Sequence, residues 1–533
     1  MAVHDSRDPP TCRGLFRAES PGQAIGIYLP ASAASRSLGL IRSVVLAWLL
    51  SPGEYGLVLV ALLVINVLTP LGGLSLHEAV TRYVPAYEAR GAVRAFVRRM
   101  APVALTVALV MTALLLLAAA PLGIWLFRSL EGSPRVGDDA EIGARALEIV
   151  SITRWVVAAV LVSAVYFFVL SILKGLRMFR AIGLMEFSQA FGFTVAAALA
   201  TLGGAAFAQA VLFCYVATAL CVTLAFAGGL RRRLKAWPEQ QQPIDADDGL
   251  VARAVRFSTW SMGAAVMYQL LQNYPTWYVN KIHGPETAAV FGAMRTLGQV
   301  TLLVAVAFVT VVATMITRVW ETQGREAADG HFHLTFKATG LLLLAISAGV
   351  AAAKPLVVRV FPAGFAAGQG VIDLLLLFFL LMAFLLFLSL HFSLIEKTRL
   401  IFWLWSVGVA GNVVFAAIWV RPTPIVTASD LVTARLVPAA QAGVAGMTVA
   451  LMACLLMLRV ERRPIDRGSW LVLLTGFALC LPWQVNAAVV ALLLVLARPL
   501  VFSREEATVL VRQAAAFRAF IAVRVGRRGG ATM

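Results

Sequence analysis

The chain has 533 residues, 60% of them hydrophobic and only 14% charged, with a formal net charge of +18. At a mean hydropathy of +0.85 a water-soluble globule is excluded, because its surface would need far more polar coverage. In a soluble chain the charge would suggest nucleic acid; in a membrane chain, basic residues retained on the cytoplasmic side explain it, and no nucleic-acid partner is expected.

Hydrophobic blocks between charged punctuation define fourteen expected spans, at 24–50, 57–76, 101–126, 150–173, 183–202, 206–228, 257–280, 288–314, 336–353, 371–390, 400–420, 441–458, 469–483 and 486–502. Most are long enough to cross hydrocarbon as helices. The last two are short, and their "LPWQVN" turn also fits a re-entrant hairpin. The expected fold is therefore an all-α polytopic membrane protein with about fourteen transmembrane helices.

The expected organisation follows from the same punctuation. A cytoplasmic segment, 1–23, carries Asp5, Asp8 and Glu19 and has no apolar run, unlike a cleaved signal peptide. An N-lobe of six helices occupies 24–228, and "KAWPEQQQPIDADDG" reads as a flexible linker within 229–256. A C-lobe of six helices follows at 257–458, then two extra helices at 469–502 and a basic tail at 503–533.

An even number of spans puts both termini on one side. Loops on that side are strongly basic, with Arg82, Arg90, Arg94, Arg98 and Arg99, then Lys174, Arg177 and Arg180, then "GLRRRLK", and finally Arg459, Arg462, Arg463 and Arg467. The asymmetry places the N- and C-termini in the cytoplasm of a cell whose inner membrane the chain crosses. A faint internal echo fits a duplicated unit: "SPGEYGLVLVA" (51–61) and "HGPETAAVFGA" (283–293) share Glu54/Glu286, Val58/Val290 and Ala61/Ala293. Repeated halves with a site at their interface are a common transporter plan.

Charge inside the spans is the main functional signal. Arg36 and Arg42 fall inside the first span, about 22 and 13 Å below its outer end, and Arg295 lies about 10 Å down the eighth. Gln269, Gln272 and Asn273 in the seventh span fall at comparable depth or slightly deeper. An arginine facing lipid costs about 2.5–3.5 kcal/mol on insertion scales, so these side chains are expected to face a polar interior. The alternative is structural pairing with carboxylates, but spans one, seven and eight contain none, and Glu186 and Asp373 fall near helix ends. A cationic layer without acids favours an anionic ligand. Pro275, just after Gln272 and Asn273, either kinks its helix or breaks it and frees carbonyls.

Other features carry less chemistry. Arg154 reads as a snorkelling residue near a membrane surface. "HFH" (331–333) reads as a polar loop with too few ligands for a metal site. The five scattered cysteines suggest neither disulfides nor metal, and no Walker loop or nucleophile–base pair appears, so no cofactor and no enzymatic activity are expected.

"RSVVLAWLLSPGEYGLVLVALLVINVLTPLGGLSLHEAVTRYVPAY" resembles the first helical hairpin of the polysaccharide-transporter branch of the multidrug/oligosaccharidyl-lipid/polysaccharide exporter superfamily. The matching features are Arg42, the turn Leu50-Ser51-Pro52-Gly53-Glu54-Tyr55-Gly56, and Gly73-Leu74 with Ala79, Arg82 and Tyr83. "IHGPETAAVFGAMRTLGQV" resembles the opening of the second half, with Phe291 where a tyrosine is expected and Arg295 in the arginine position. The resemblance implies two lobes around a V-shaped cavity and a flippase for polyprenyl-diphosphate-linked oligosaccharide, working by alternating access in cell-surface polysaccharide biosynthesis. Guanidinium forks suit a diphosphate headgroup. Implied partners are the lipid-linked oligosaccharide and the bilayer, with a glycan polymerase and glycosyltransferases as further candidates. Relatives often carry an acid in the seventh helix; Gln269, Gln272 and Asn273 stand there instead, which speaks against proton coupling through it. The competing readings are a drug/cation antiporter of the same superfamily and, behind it, a membrane glycan polymerase or ligase.

Overall fold

Apolar runs in a membrane must satisfy every backbone group internally, which leaves a helical bundle as the outcome. The computed structural model describes residues 21–121, 139–236, 249–421 and 435–508, apart from Arg90, Ala206, Glu396 and Pro464, together with Leu15 and Gly123. Most of the expected N-terminal segment, linker and basic tail fall outside these residues, as does much of 127–149, the stretch between the third and fourth expected spans that reads as the largest outer loop.

The first part comprises α1 (Pro21–Leu49), α2 (Pro52–Gly72), α3 (Leu76–Ala89), α4 (Val93–Leu117), α5 (Asp139–Gly175), α6 (Phe179–Leu202) and α7 (Ala208–Lys235). The second comprises α8 (Leu250–His283), α9 (Pro285–Gln323), α10 (Arg325–Val358), α11 (Ile372–Leu394), α12 (Thr398–Trp419) and α13 (Val437–Val460). The short α14 (Arg467–Gly476), α15 (Trp483–Val495) and α16 (Ala497–Leu500) follow. Among the described residues there is no strand, so the all-α expectation holds.

Ten of these helices are long and apolar enough to cross a membrane, and two more are apolar but shorter. The ten do not include α1, which carries Arg36 and Arg42, or α8, which carries Gln269, Gln272 and Asn273; Arg295 lies on α9, which is among them. Several helices extend beyond the expected spans. The "HFH" segment is not a loop but part of α10, because the helix continues from the apolar stretch into its polar flank. Likewise the expected outer loop ends early, since α5 begins at Asp139.

Burial separates helices of similar apolarity. In α11, "IDLLLLFFLLMAFLLFLSLHFSL" is apolar on every face and packs against α9, α10 and α13 at the centre of the bundle. Its most apolar window, with the preceding turn, is 83% buried, whereas that of α4 is 17% buried and leaves Leu105, Leu109, Val110 and Leu114 exposed. The two parts meet where α1, α2 and α3 touch α8 and α9.

The two echoed turns lie against each other. Each opens a helix with Pro near its first position: Ser51 caps α2, accepting from the Glu54 amide, and α9 starts at Pro285. Gly56 has no room for a side chain, since a methyl there would collide with the carbonyl oxygen of Pro285. At the same end the indole of Trp48 donates to Val360 O at 2.8 Å, and Tyr55 meets Phe365 edge-on. At the opposite end Arg82 and Tyr83 contact the ring of Phe257. The first and second parts thus touch at both ends of the bundle.

Candidate functional site

Arg295 is the best-defined member of the cationic layer. Nη2 donates to Asn273 Oδ1 at 2.7 Å and to Gln272 O at 3.3 Å, and the amide of Gln299, turned to satisfy both partners, accepts from Nη1 and Nη2 at 3.0 and 2.9 Å. The guanidinium also lies 5.5 Å over the ring of Phe379. Asn273 is oriented in turn by donating to Gln269 O at 2.8 Å and to Gln269 Oε1 at 3.2 Å. Of the expected site residues, Asn273 meets the guanidinium with its side chain, Gln272 with its backbone carbonyl, and Gln269 only through Asn273.

Pro275 leaves α8 continuous, so the helix is not broken. It still shapes the site. Proline has no amide proton to give the Leu271 carbonyl one turn earlier, whereas the next carbonyl, that of Gln272, accepts from Arg295. Gln272, Pro275, Phe291, Arg295 and Phe378 line a cleft of about 10 Å³, the space of a single water. Arg295 is 8% exposed, and its buried Nε has no acceptor among the described residues. A sugar headgroup does not fit in this conformation.

Arg42 is held differently. Its guanidinium stacks 4.5 Å from the ring centre of Phe193 on α6, with the phenols of Tyr215 and Tyr55 as electrostatic neighbours. Tyr215 is fixed by a 3.0 Å hydroxyl contact with Ser163 and by its edge against Phe193. Aromatic faces partly replace water around the charge without neutralising it.

Arg36 departs from the acid-free picture. Its Nε donates to Ser32 Oγ at 3.2 Å, and Ser35 donates to the backbone carbonyl of Glu186 at 3.1 Å. α1 and α6 pack closely, which brings the Glu186 carboxylate into the electrostatic reach of Arg36. Glu186 is the eighth residue of α6, near a helix end as read from the sequence, yet the absence of acids from spans one, seven and eight does not leave Arg36 without an acidic neighbour. Asp373 is indeed in a first helical turn, and it pairs with Lys354 at 2.5 Å. Arg154 is exposed.

Sequence reading missed Tyr268. It lies within electrostatic reach of both Arg36 and Arg295, one on each part of the chain, and its ring meets Trp405 edge-on at 5.1 Å. Gln299, one turn after Arg295, was also missed; i, i+4 spacing was its only signal. Phe193 and Phe379 had no sequence signal, since nothing distinguishes them from other apolar residues.

A MATE in complex with MaL6 is similar, at TM-score 0.61 and 15% identity over 84% of this chain and 97% of that one. An outward-facing multidrug resistance MATE family transporter of the MOP superfamily is similar at TM-score 0.61, with 16% identity and the same coverage. So is a MOP superfamily transporter from Pyrococcus furiosus, described as having a binding pocket of reversed polarity, at TM-score 0.60 and 16% identity over 84% and 97%. The fold is that of MATE transporters. The model of the polysaccharide biosynthesis protein family matches residues 22–320, and the chain belongs to that family. No curated protein matches the chain.

Proposed function

We propose that this transporter is a flippase that carries polyprenyl-diphosphate-linked oligosaccharide across the bacterial inner membrane by alternating access, for cell-surface polysaccharide biosynthesis. The carrying observation is the chemistry around Arg295: a buried guanidinium held by neutral oxygen acceptors, with its Nε proton unpaired. A carboxylate partner would have cancelled the charge; amides orient it and leave it available to a diphosphate. Arg42, stacked on Phe193 and with no carboxylate paired to it among the described residues, is the second donor group.

Residues 24–228 and 257–458 act as two lobes in this reading, with both termini cytoplasmic, as the basic loops require. The lobes separate at one end at a time, widening the cleft beside Arg295 to admit the headgroup while the lipid tail stays in the bilayer. Glycosyltransferases supply the substrate, and a glycan polymerase receives it. A drug/cation antiporter would place carboxylates where Arg295 meets amides, and so fits less well.

The test is complementation of a flippase-deficient strain, scored by surface glycan, with the Arg42→Ala and Arg295→Ala variants alongside. Restoration by the native chain, and loss in both variants at equal membrane levels, is the expected result. Full restoration by both variants overturns the reading. So does drug hypersensitivity with normal surface glycan on deleting the gene.

A further inference from the structure

A cavity near the basic end of the bundle does not touch the arginine layer. It lies within the first part of the chain, between α4, α5, α7 and the α2–α3 junction, and encloses about 610 Å³. Each wall is one helix face: Arg94, Val97, Arg98, Ala101, Ala104, Leu105 and Ala108 recur at three- and four-residue spacing on α4.

The lining is sorted by depth. Arg94 and Arg98 on α4, and Arg231 and Lys235 on α7, form one rim, with His77 nearby. Deeper in, toward Ala108 and Phe168, the walls are Ala, Val, Leu, Ile and Phe. Among the described residues none that lines it is acidic. Leu105 is 51% exposed, so the apolar part opens sideways rather than into the bundle.

A break in the backbone contributes to the wall. Gly73 and Leu76 line the cavity, and between them Leu74 and Ser75 both adopt left-handed φ values of 45°. Two consecutive non-glycine residues in that region are costly and persist only where the surroundings hold them. Here they turn α3 away from the line of α2.

We infer that this cavity is a site for an acidic phospholipid of the cytoplasmic leaflet, its phosphate at Arg98 and Arg231 and an acyl chain along Ala101, Ala104 and Leu105. Basic pockets between transmembrane helices on the cytoplasmic side recognise anionic headgroups. The dimensions favour a phospholipid over a polyprenyl chain. Arg94 to Ala108 spans about 21 Å of helix, which matches a headgroup plus the roughly 15 Å hydrocarbon depth of one leaflet. A polyprenyl tail several times longer would protrude. The site differs from the arginine layer in place and in ligand, and the inference does not rest on the flippase reading.

The test is native mass spectrometry of the full chain, offered phosphatidylglycerol, phosphatidylcholine or a polyprenyl phosphate at equal concentration. Preferential retention of phosphatidylglycerol is expected. The double variant Arg98→Gln/Arg231→Gln, at exposed positions, is expected to weaken it about thirtyfold, at roughly 1 kcal/mol per charge. Ala104→Trp should block the apolar part with the rim charges intact. Equal retention of phosphatidylcholine, preference for the polyprenyl phosphate, or unchanged phosphatidylglycerol binding in both variants overturns the inference. None of these readouts depends on glycan export.

Discussion

Asn273 on α8 accepts a 2.7 Å hydrogen bond from Arg295 on α9, two residues 22 positions apart on antiparallel helices joined by the turn at Gly284. Because Asn273 is itself oriented by Gln269, the amide fixes where the guanidinium points. Asn273→Leu should keep the charge and lose its aim. A hydrogen bond to a charged group contributes about 1.5–3 kcal/mol, so glycan export is expected to fall roughly tenfold or more in a complementation assay, without loss of the protein from the membrane.

Arg295→Lys and Arg42→Lys separate charge from geometry. Lysine keeps the cation but cannot present two parallel donors to a phosphate or lie flat on Phe193. Both are expected to restore export only partly, between Ala and native levels, as measured by surface glycan at matched expression. At Arg36 the effect of Lys should be smaller, since Glu186 already shares its charge.

Glu54 links distant parts of the first half. Its Oε2 accepts from the Ala208 amide at 2.6 Å, so a carboxylate on α2 caps the N-terminus of α7. Glu54→Ala is expected to destabilise the protein by about 1–2 kcal/mol, seen as a lower melting temperature in detergent. Glu54→Gln should fall in between, because it keeps an acceptor but not the charge.

The contact of Gly56 with Pro285 closes the end of the bundle that carries both echoed turns. Gly56→Val should force the two turns apart. In a cysteine-free background, a reporter cysteine replacing Leu59, whose side chain packs beside Gly292, is expected to react faster with a membrane-impermeant thiol reagent. Unchanged labelling would show that the turns do not seal that end.

Lys337 is 2% exposed and bonds Asp466 at 2.8 Å and Glu506 at 2.6 Å, tying α10 to the segments flanking the last helices. Lys337→Met removes the shared partner of two partly exposed carboxylates and should cost about 1.5–3 kcal/mol. Burial pushes the Asp466 carboxyl up, but hydrogen bonds from Lys337 and Ser469 and the charges of Lys337 and His333 outweigh it and hold it below its ordinary value. A depressed carboxyl stabilises the fold above its unfolded-state value near about 4 and ceases to do so as pH falls through the folded value. Melting temperature should therefore drop on acidification below about pH 4, and Asp466→Asn should flatten that slope.

Long uninterrupted apolar runs required a helical membrane bundle, since the other arrangement that satisfies the backbone in lipid, a closed β-barrel, alternates apolar and polar residues. Arg42, Arg295 and the amides of α8 were also legible, because polar residues inside apolar runs are costly unless something answers them. Hydrophobic patterning could not separate α11 from α4: both are apolar, and burial against protein or against lipid removes the same surface from water. Nor could it place Glu186 beside Arg36, Phe193 beneath Arg42, or Tyr268 between Arg36 and Arg295. Those neighbours come from segments far apart in the chain, and only the packing of α1 on α6 and of α8 beside α9 brings them to one place.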